Sequence, residues 1–545
     1  MNAFIKKIIS FILILLFLTA CNVQQDIQDP KDKEEPEKDK IVEDTGPVKG
    51  GILNLQSSNP DTLNPILTKS QSNAEILGLV FESLVKYDEN MNIQPSLAER
   101  WECSQDGMTW TFFLRKDVKW HDNVQFTAKD VDYTFKTISS NKYESVYKLN
   151  TQLISYFGMI DDYTFKVVLS QPYGGFISAV SFPIIASHQF QGKEIVNDDP
   201  NFKPVGTGYY QFMEYHPLKS IKLQAVSQWW GGTSPYIDTV NVKLLPDNDT
   251  ALSALEAQEV DYVSTNVVDW DKYSGKGNIQ IKEYITNYYE FLGLNYNNKA
   301  LQDKAVRKAM AYTLDRDKII SEVLLSHGRK TDVPLNPQGW LYDSSTQVYN
   351  RDLNKARQLL SEAGWIDSNS DGILDKTIDG VQIPLSFELV TNTDNIIRDK
   401  TANIIGNQLK EIGIKINQKR VSWEELNTLL NAKTFDIVLS GLNLSPMGDL
   451  TFAFHTTEIE RGTNFISYSN AETDQMLAKA FSTVNKEDRK QAYSVLQKKL
   501  VEDLPYISLF FRTSAVLHND RLRGEINPIA NNIYNDIHKW YILKE

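Results

Sequence analysis

Beyond residue 48 the chain alternates short apolar runs with segments whose apolar residues recur every three or four positions. That is the pattern of strands interleaved with amphipathic helices. Gly51-Ile52-Leu53-Asn54-Leu55 reads as a first strand. Ala74 to Val85, with Ile76, Leu79, Val80 and Leu84 spaced for one face, reads as a helix. Trp110-Thr111-Phe112-Phe113-Leu114 and Tyr163 to Leu169 read as strands. Lys304 to Leu325 sets Ala305, Ala309, Met310, Ile319, Ile320 and Val323 on one buried face and reads as a single long helix. Asn354 to Ala363 reads as another, closed by Gly364. No short fixed repeat recurs, which excludes solenoids and propellers. The fold class is α/β.

The first 48 residues break this pattern. Lys6 and Lys7 precede an apolar run from Ile8 to Leu18, interrupted only by Ser10 and too short to span a bilayer. It reads as the core of an export signal. Leu18-Thr19-Ala20-Cys21 resembles the lipobox of bacterial lipoproteins. The resemblance implies a signal peptide over 1–20 and fatty acylation (palmitate) of Cys21. Two or more chains would anchor the protein stably where one would be marginal. No other segment reaches the length of a spanning helix. Residues 21–48 carry nine acids, four lysines and three prolines with almost nothing to bury, and read as a disordered tether.

Composition narrows the function. The 545 residues hold 57 Lys+Arg against 70 Asp+Glu, a formal charge of −13, which argues against nucleic acid as a partner. Such a length suggests three or four structural units. With Cys21 acylated, Cys103 has no exported partner and reads as a small buried hydrophobe. Trp101, Trp110 and Trp120 with His121 read as turn and core packing rather than as a metal or sugar box. The chain shows no Gly-x-Ser-x-Gly elbow, no His-Glu-x-x-His and no Walker-type phosphate loop, so no enzyme class is indicated.

An ordered series of short motifs carries more. Leu97-Ala98-Glu99-Arg100-Trp101, Asp106-Gly107-Met108-Thr109-Trp110, Leu114 to Asp122 and Phe126-Thr127-Ala128-Lys129-Asp130-Val131 come first. Gly206-Thr207-Gly208-Tyr209-Tyr210, Ala305 to Met310, Asp315-Arg316, Ala363-Gly364-Trp365, Asn464 to Asn470 and Asp503-Leu504-Pro505-Tyr506-Ile507 follow. Together they resemble the family-5 extracellular solute-binding proteins, the oligopeptide-, dipeptide- and nickel-binding group, over about Gly50 to Ile542. One departure is Asn123, where the family commonly has glycine. The resemblance implies a type II (cluster C) periplasmic-binding-protein-like fold of two lobes with an extra inserted domain. Lobe one would combine 49–85, 205–295 and 519–545, with the inserted domain at 86–204 and lobe two at 296–518. Chain crossings near Asn295 and Asn519 would form the hinge.

Three segments are candidates for the cleft wall. Gln71, Ser72 and Asn73 form a polar stretch able to donate to a ligand. Tyr288, Tyr289 and Glu290 offer aromatic pockets and a carboxylate for an ammonium, or else alternate residues that simply pack in a strand. Gly441, Asn443, Leu444, Ser445 and Asp449 follow the apolar strand Phe435 to Leu439. In peptide-binding relatives a Gly-Trp-x-x-Asp segment here adds a strand to the peptide and offers its aspartate to the ammonium. This chain has Leu442 for the tryptophan and Ser445 for the aspartate, with Asp449 available in another register. Asp367, Asn369, Asp371 and Asp375 resemble the start of a calcium loop, although position twelve is Ile378 rather than glutamate. Asp, Asn and Gly also crowd ordinary turns.

The expected function is that of a non-enzymatic, lipid-anchored receptor on the extracytoplasmic face of the cell membrane. It would deliver peptides, oligopeptides first, to the permease subunits of an ABC transporter, acting as a monomer. A nickel chelate, an oligosaccharide or a signalling peptide are alternative ligands on the same fold, and a tethered hydrolase is the alternative of another class. No cofactor is expected beyond the candidate calcium.

Overall fold

The computed structural model describes residues 46–195, 202–276 and 278–543. The tether and the acylation site Cys21 therefore lie outside the described residues. The body opens with β1 (Ile52–Ser57), followed by helix α1 (Gln71–Leu77), capped by Ser70. The helix expected to run to Val85 stops at Gly78. Its continuation is impossible because the Leu79 and Val80 carbonyls are already taken by the amides of Tyr210 and Gly208. A side chain at Gly206 would sit 1.8 Å from the Val80 carbonyl oxygen, so that approach requires glycine. His121 completes the clamp: its Nδ1 accepts from Gly206 N and its Nε2 donates to the Gly208 carbonyl. Burial lowers its pKa to about 4, so this histidine is neutral.

An antiparallel sheet follows, built from β2 (Ala98–Cys103), β3 (Thr109–Leu114), β4 (Ile154–Asp161) and β5 (Thr164–Leu169) in the spatial order β2-β3-β5-β4. Trp110 and Trp120 are buried there, the latter donating to Asp130 at 3.2 Å. Cys103 is a free, half-buried thiol whose pKa burial pushes up to about 11, with Asp106 adding to the rise. The chain then returns to β1 through β6 (Tyr210–His216), β7 (Ser220–Ala225) and β8 (Thr239–Leu244), giving a sheet ordered β1-β8-β7-β6.

A seven-stranded sheet dominates the rest. It contains β9 (Tyr262–Thr265), β10 (Ile279–Leu294), β11 (Gly328–Lys330), β12 (Ser386–Asn392), β13 (Lys415–Val421), β14 (Ile437–Asn443) and β15 (Tyr506–Asn519). The order is β9-β15-β10-β14-β12-β13, with β11 also on β15. The expected single helix over 304–325 is two helices, α2 (Lys304–Thr313) and α3 (Arg316–Leu324). Leu314 leaves the helical region and Asp315 caps the second helix through Lys318 N. Helices α4 (Ile396–Lys410), α5 (Ala471–Ser482) and α6 (Lys486–Asp503) pack outside the sheet.

Strands β10 and β15 are unusually long, and they connect different cores. Tyr289, Phe291, Leu292 and Leu294 of β10, with Tyr506 to Phe511 of β15, belong to a core that also takes in α2, α3 and α4. Ile279 of β10 and Ala515 and Leu517 of β15 belong to a small separate cluster with Val260 and Trp270. Val516 joins the core formed by β1 to β8. The antiparallel ladder runs from Ile279↔Asn519 to Ile285↔Thr513 and resumes at Tyr289↔Phe511. Thr286, Asn287 and Tyr288 are the residues skipped, so the ladder breaks where the side chains change cores. Asn295 and Asn519, the expected crossings, lie at the far ends of these strands. Residues 289–294 and 513–518 thus pack in the halves opposite to those expected.

Away from β10 and β15, the inserted sheet is pinned to the β12–β15 half by Tyr173 and Gly174. Tyr173 stacks on Phe481 at 4.4 Å, and the Gly174 carbonyl accepts from Arg489 Nη1 at 3.0 Å. A Cβ on Gly174 would lie 1.8 Å from the Thr483 carbonyl oxygen. Gly174→Ala is therefore expected to destabilise the protein by about 1–3 kcal/mol. An unchanged denaturant midpoint would refute this.

Candidate functional site

The ladder break lies under a small cleft. Its lining includes Asn287 of β10, the loop residues Asn336, Trp340 and Tyr342, the segment Leu444, Ser445 and Asp449, and Met91 from the other half. The segment leaves β14 with its backbone tied to the break: Leu444 N donates to the Asn287 carbonyl at 2.9 Å. Asn336 Nδ2 donates to Asn287 Oδ1 at 3.1 Å, and Asn287 Nδ2 donates to Asn531 Oδ1 at 3.0 Å. Asn287 thus links three chain segments at one point. Arg489 braces the segment from behind, with Nη2 donating to the Met447 carbonyl at 2.6 Å.

Of the residues expected at the site, Leu444, Ser445 and Asp449 are brought together in this cleft. Asp449 accepts from Thr451 N at 2.9 Å. Asn443 is exposed and pairs with Tyr288 across the ladder, and Tyr288 is 48% exposed. Tyr289 is different. It is fully buried, its hydroxyl within 2.6 Å of Ser508 Oγ, because alternation along the strand turns it into the core. It packs in the core.

Glu290 also departs from expectation. It is buried at 3% exposure and already neutralised by two guanidiniums. Arg398 Nε donates to Oε2 at 3.0 Å and Arg512 Nη2 donates to Oε1. Arg398 Nη1 also reaches Asn392 Oδ1 at 3.0 Å. A buried carboxylate held this way has no unpaired charge to offer an ammonium. The trio carries a net charge of +1, and Arg512 Nε finds no acceptor among the described residues. Gly441 packs against the trio: a Cβ there would come within 2.5 Å of Arg398 Nη2.

At the α1 end, Asn73 is buried, with Nδ2 donating to the Thr62 carbonyl at 2.6 Å and to Thr68 Oγ1 at 3.0 Å. It closes the preceding loop. Ser72 Oγ lies 2.8 Å from Ser58 Oγ, and exposed Gln71 donates to Glu75 at 3.0 Å.

In the Asp367 loop the carboxylates are turned onto the loop's own backbone. Asp367 accepts from the amides of Asp371 and Gly372, Asp371 from Ile373, and Asp375 from Ser368, while Asn369 donates to Asp371. These are turn-closing bonds. Among the described residues no group of three His, Cys, Asp or Glu side chains converges as a metal site.

Arg398, Arg512 and the 334–342 loop were not anticipated from sequence. A usable signal existed: Glu290 and Arg512 each interrupt an apolar strand, and a charge in such a strand must find a partner.

The arrangement of two cores joined by paired long strands beneath a polar cleft is that of a type II periplasmic-binding-protein fold. The family model of bacterial extracellular solute-binding proteins, family 5, matches residues 92–460. The chain belongs to this family, in the peptide- and nickel-binding group, and is a binding protein rather than an enzyme. It is 31% identical to the oligopeptide-binding protein AppA of Bacillus subtilis (strain 168) over 91% of this chain and 93% of that protein. The structure of Bacillus subtilis AppA in complex with a nonapeptide is similar, with a TM-score of 0.65 and 30% identity, covering 91% of this chain and all of that one. So is NikZ of Campylobacter jejuni in complex with Ni(L-His), with a TM-score of 0.66 and 26% identity over 90% and 99% of the two chains. The family is extracytoplasmic, and no helix among the described residues is long and apolar enough to cross a membrane.

Proposed function

We propose that this protein is a lipid-anchored receptor that captures peptides outside the cytoplasmic membrane and presents them to the permease of an ABC transporter. The observation that carries the reading is the paired crossing of β10 and β15, whose ladder breaks at residues 286–288 directly under the cleft. Bending there needs only a few residues to change conformation, and Met91 on one half already shares the cleft with Ser445 and Trp340 on the other. A ligand touching both walls gains contacts only in the closed state, which is what shifts the population toward it. The Arg398–Arg512–Glu290 trio, with its excess positive charge and unpaired Arg512 Nε, suits a ligand carboxylate. Similarity to AppA, solved with a nonapeptide, favours peptide over the other ligands. Acylation at Cys21 supplies the anchor, and residues 22–48 the reach toward the permease.

Native mass spectrometry of the purified protein, followed by release of its contents under denaturing conditions, tests the ligand. Intact co-purified peptides support the proposal, whereas a nickel chelate or a sugar reassigns the ligand. Small-angle scattering that shows no contraction with peptide, together with cleavage of the added peptide, would overturn it.

A further inference from the structure

The lining of the cleft divides into polar and apolar groups. Asn287, Asn336, Ser445 and Asp449 are polar, and Asp449 already accepts from Thr451 N at 2.9 Å. Leu335, Trp340, Leu341, Leu444 and Pro446 are apolar and belong to the β12–β15 half. One further apolar residue comes from the other half. Met91 sits at the tip of a hairpin, Val85–Tyr87 paired with Ile93–Pro95, whose base packs in the core of β1 to β8.

The tip holds Met91 in place. Asp88 N donates to the Asn92 carbonyl at 2.9 Å, and the Asp88 carboxylate accepts from the amides of Asn90 and Asn92 at 2.9 and 2.8 Å. Met91 N closes the turn on the Asp88 carbonyl at 3.0 Å. Met91 itself has φ 59°, a left-handed conformation that a long side chain rarely takes and that persists only where its surroundings fix it. Two bonds from the opposite half grip the tip on either side of it. Gln338 Nε2 donates to the Glu89 carbonyl at 3.0 Å, and Lys486 Nζ donates to Asn92 Oδ1 at 2.8 Å. Met91 is 8% exposed, its sulfur 3.9 Å from where a Cβ on Gly339 would stand.

Trp340 is steadied in turn. Lys486 Nζ lies 5.5 Å and the Arg489 guanidinium carbon 5.9 Å from its ring centroid. Lys486 thus touches both the hairpin tip and the indole, and one side chain sets the two walls against each other. A thioether sharing a cleft with an indole and leucines makes a site for an apolar group, which gains by leaving water. An acidic group entering it loses hydration and meets Asp449. The thioether is flexible and adapts to guests of different shape. The cleft is small, on the scale of one side chain and not of a whole peptide.

We infer that this part of the cleft receives one apolar side chain of the bound peptide, long aliphatic or aromatic, and that Met91 sets how large that side chain is. The inference rests on the reading of the cleft as the peptide site and adds a specificity to it. Because Met91 arrives from the opposite half, the pocket is complete only when the halves meet, and the guest's side chain is read on closure.

The probe is a random nonapeptide library offered to wild-type protein, Met91→Ala and Met91→Trp, with captured peptides sequenced by mass spectrometry. On the wild type one position should favour leucine, methionine and phenylalanine over aspartate and glutamate by roughly tenfold, the lower scale of discrimination by an apolar pocket. Met91→Ala should move the preference at that position toward tryptophan, and Met91→Trp toward alanine and valine, with the other positions unchanged in both. Either variant decides the matter alone if the other fails to fold. A merely structural role would lower capture of all peptides without moving the preference, and that result overturns the inference. So does a uniform rise in capture by Met91→Ala, which would make Met91 a plug. A wild type that captures peptides without preference at any position overturns the inference while leaving the peptide reading intact. Capture of no peptide by wild type overturns both.

Discussion

Glu290→Ala should destabilise the β12–β15 half of the protein by about 3 kcal/mol, and the loss should be strongly coupled to Arg512. The figure sits at the low end for breaking a buried ion pair, because Arg512 keeps 26% of its side chain in solvent and screening weakens its share. Arg398, at 10%, is the guanidinium left nearly dry. Removing Arg512 as well relieves part of the repulsion between the two cations. The double variant should therefore be less damaged than the sum of the single ones by at least about 1 kcal/mol. Denaturant unfolding of the four proteins in the cycle measures this, and strict additivity would show that the trio does not act as a unit.

A comparable effect is expected at Asp332, with a consequence for the cleft. Asp332 accepts from the amides of Val348 and Tyr349 at 2.6 and 3.0 Å and pairs with Arg316. Arg316 also donates to the Thr331 carbonyl at 2.6 Å, and both charged side chains are 3% exposed. These bonds staple the two ends of the 331–349 loop, which carries Asn336, Trp340 and Tyr342 to the cleft. Asp332→Ala leaves a guanidinium buried against carbonyls alone and should cost about 3–5 kcal/mol. Ligand affinity should fall with it, since the wall is no longer held in place. Hydrogen exchange across 331–349 distinguishes the cases: faster exchange confined to this loop is expected, and unchanged protection would separate the ion pair from the site.

The apolar runs that read as strands fell on strands, because a buried strand needs little besides its own alternation. Ile52–Ser57, Thr109–Leu114 and Thr164–Leu169 lie where their apolar periods put them. The helical ends were less legible, since they depend on distant partners. Nothing local announces that the Val80 carbonyl belongs to Gly208, or that Leu314 must turn out so that Asp315 can cap. The site divides in the same way. Leu444, Ser445 and Asp449 were singled out by resemblance to a segment of peptide-binding relatives, and the structure puts them on one cleft. The roles of Tyr289 and Glu290 were not readable, because strand alternation decides one and arginines 108 and 222 residues away decide the other. A lone charge inside an apolar run signals that a partner exists but gives no clue to where it lies in the sequence.

The two long strands have a mechanical consequence. They are bonded to each other on both sides of the break, so they act as one paired band rather than as two independent threads. Such a band flexes easily out of its plane and resists sliding or swivelling, either of which would strip ladder bonds. If the cleft opens, the expected path is therefore a single bending arc that restores the same alignment of its walls.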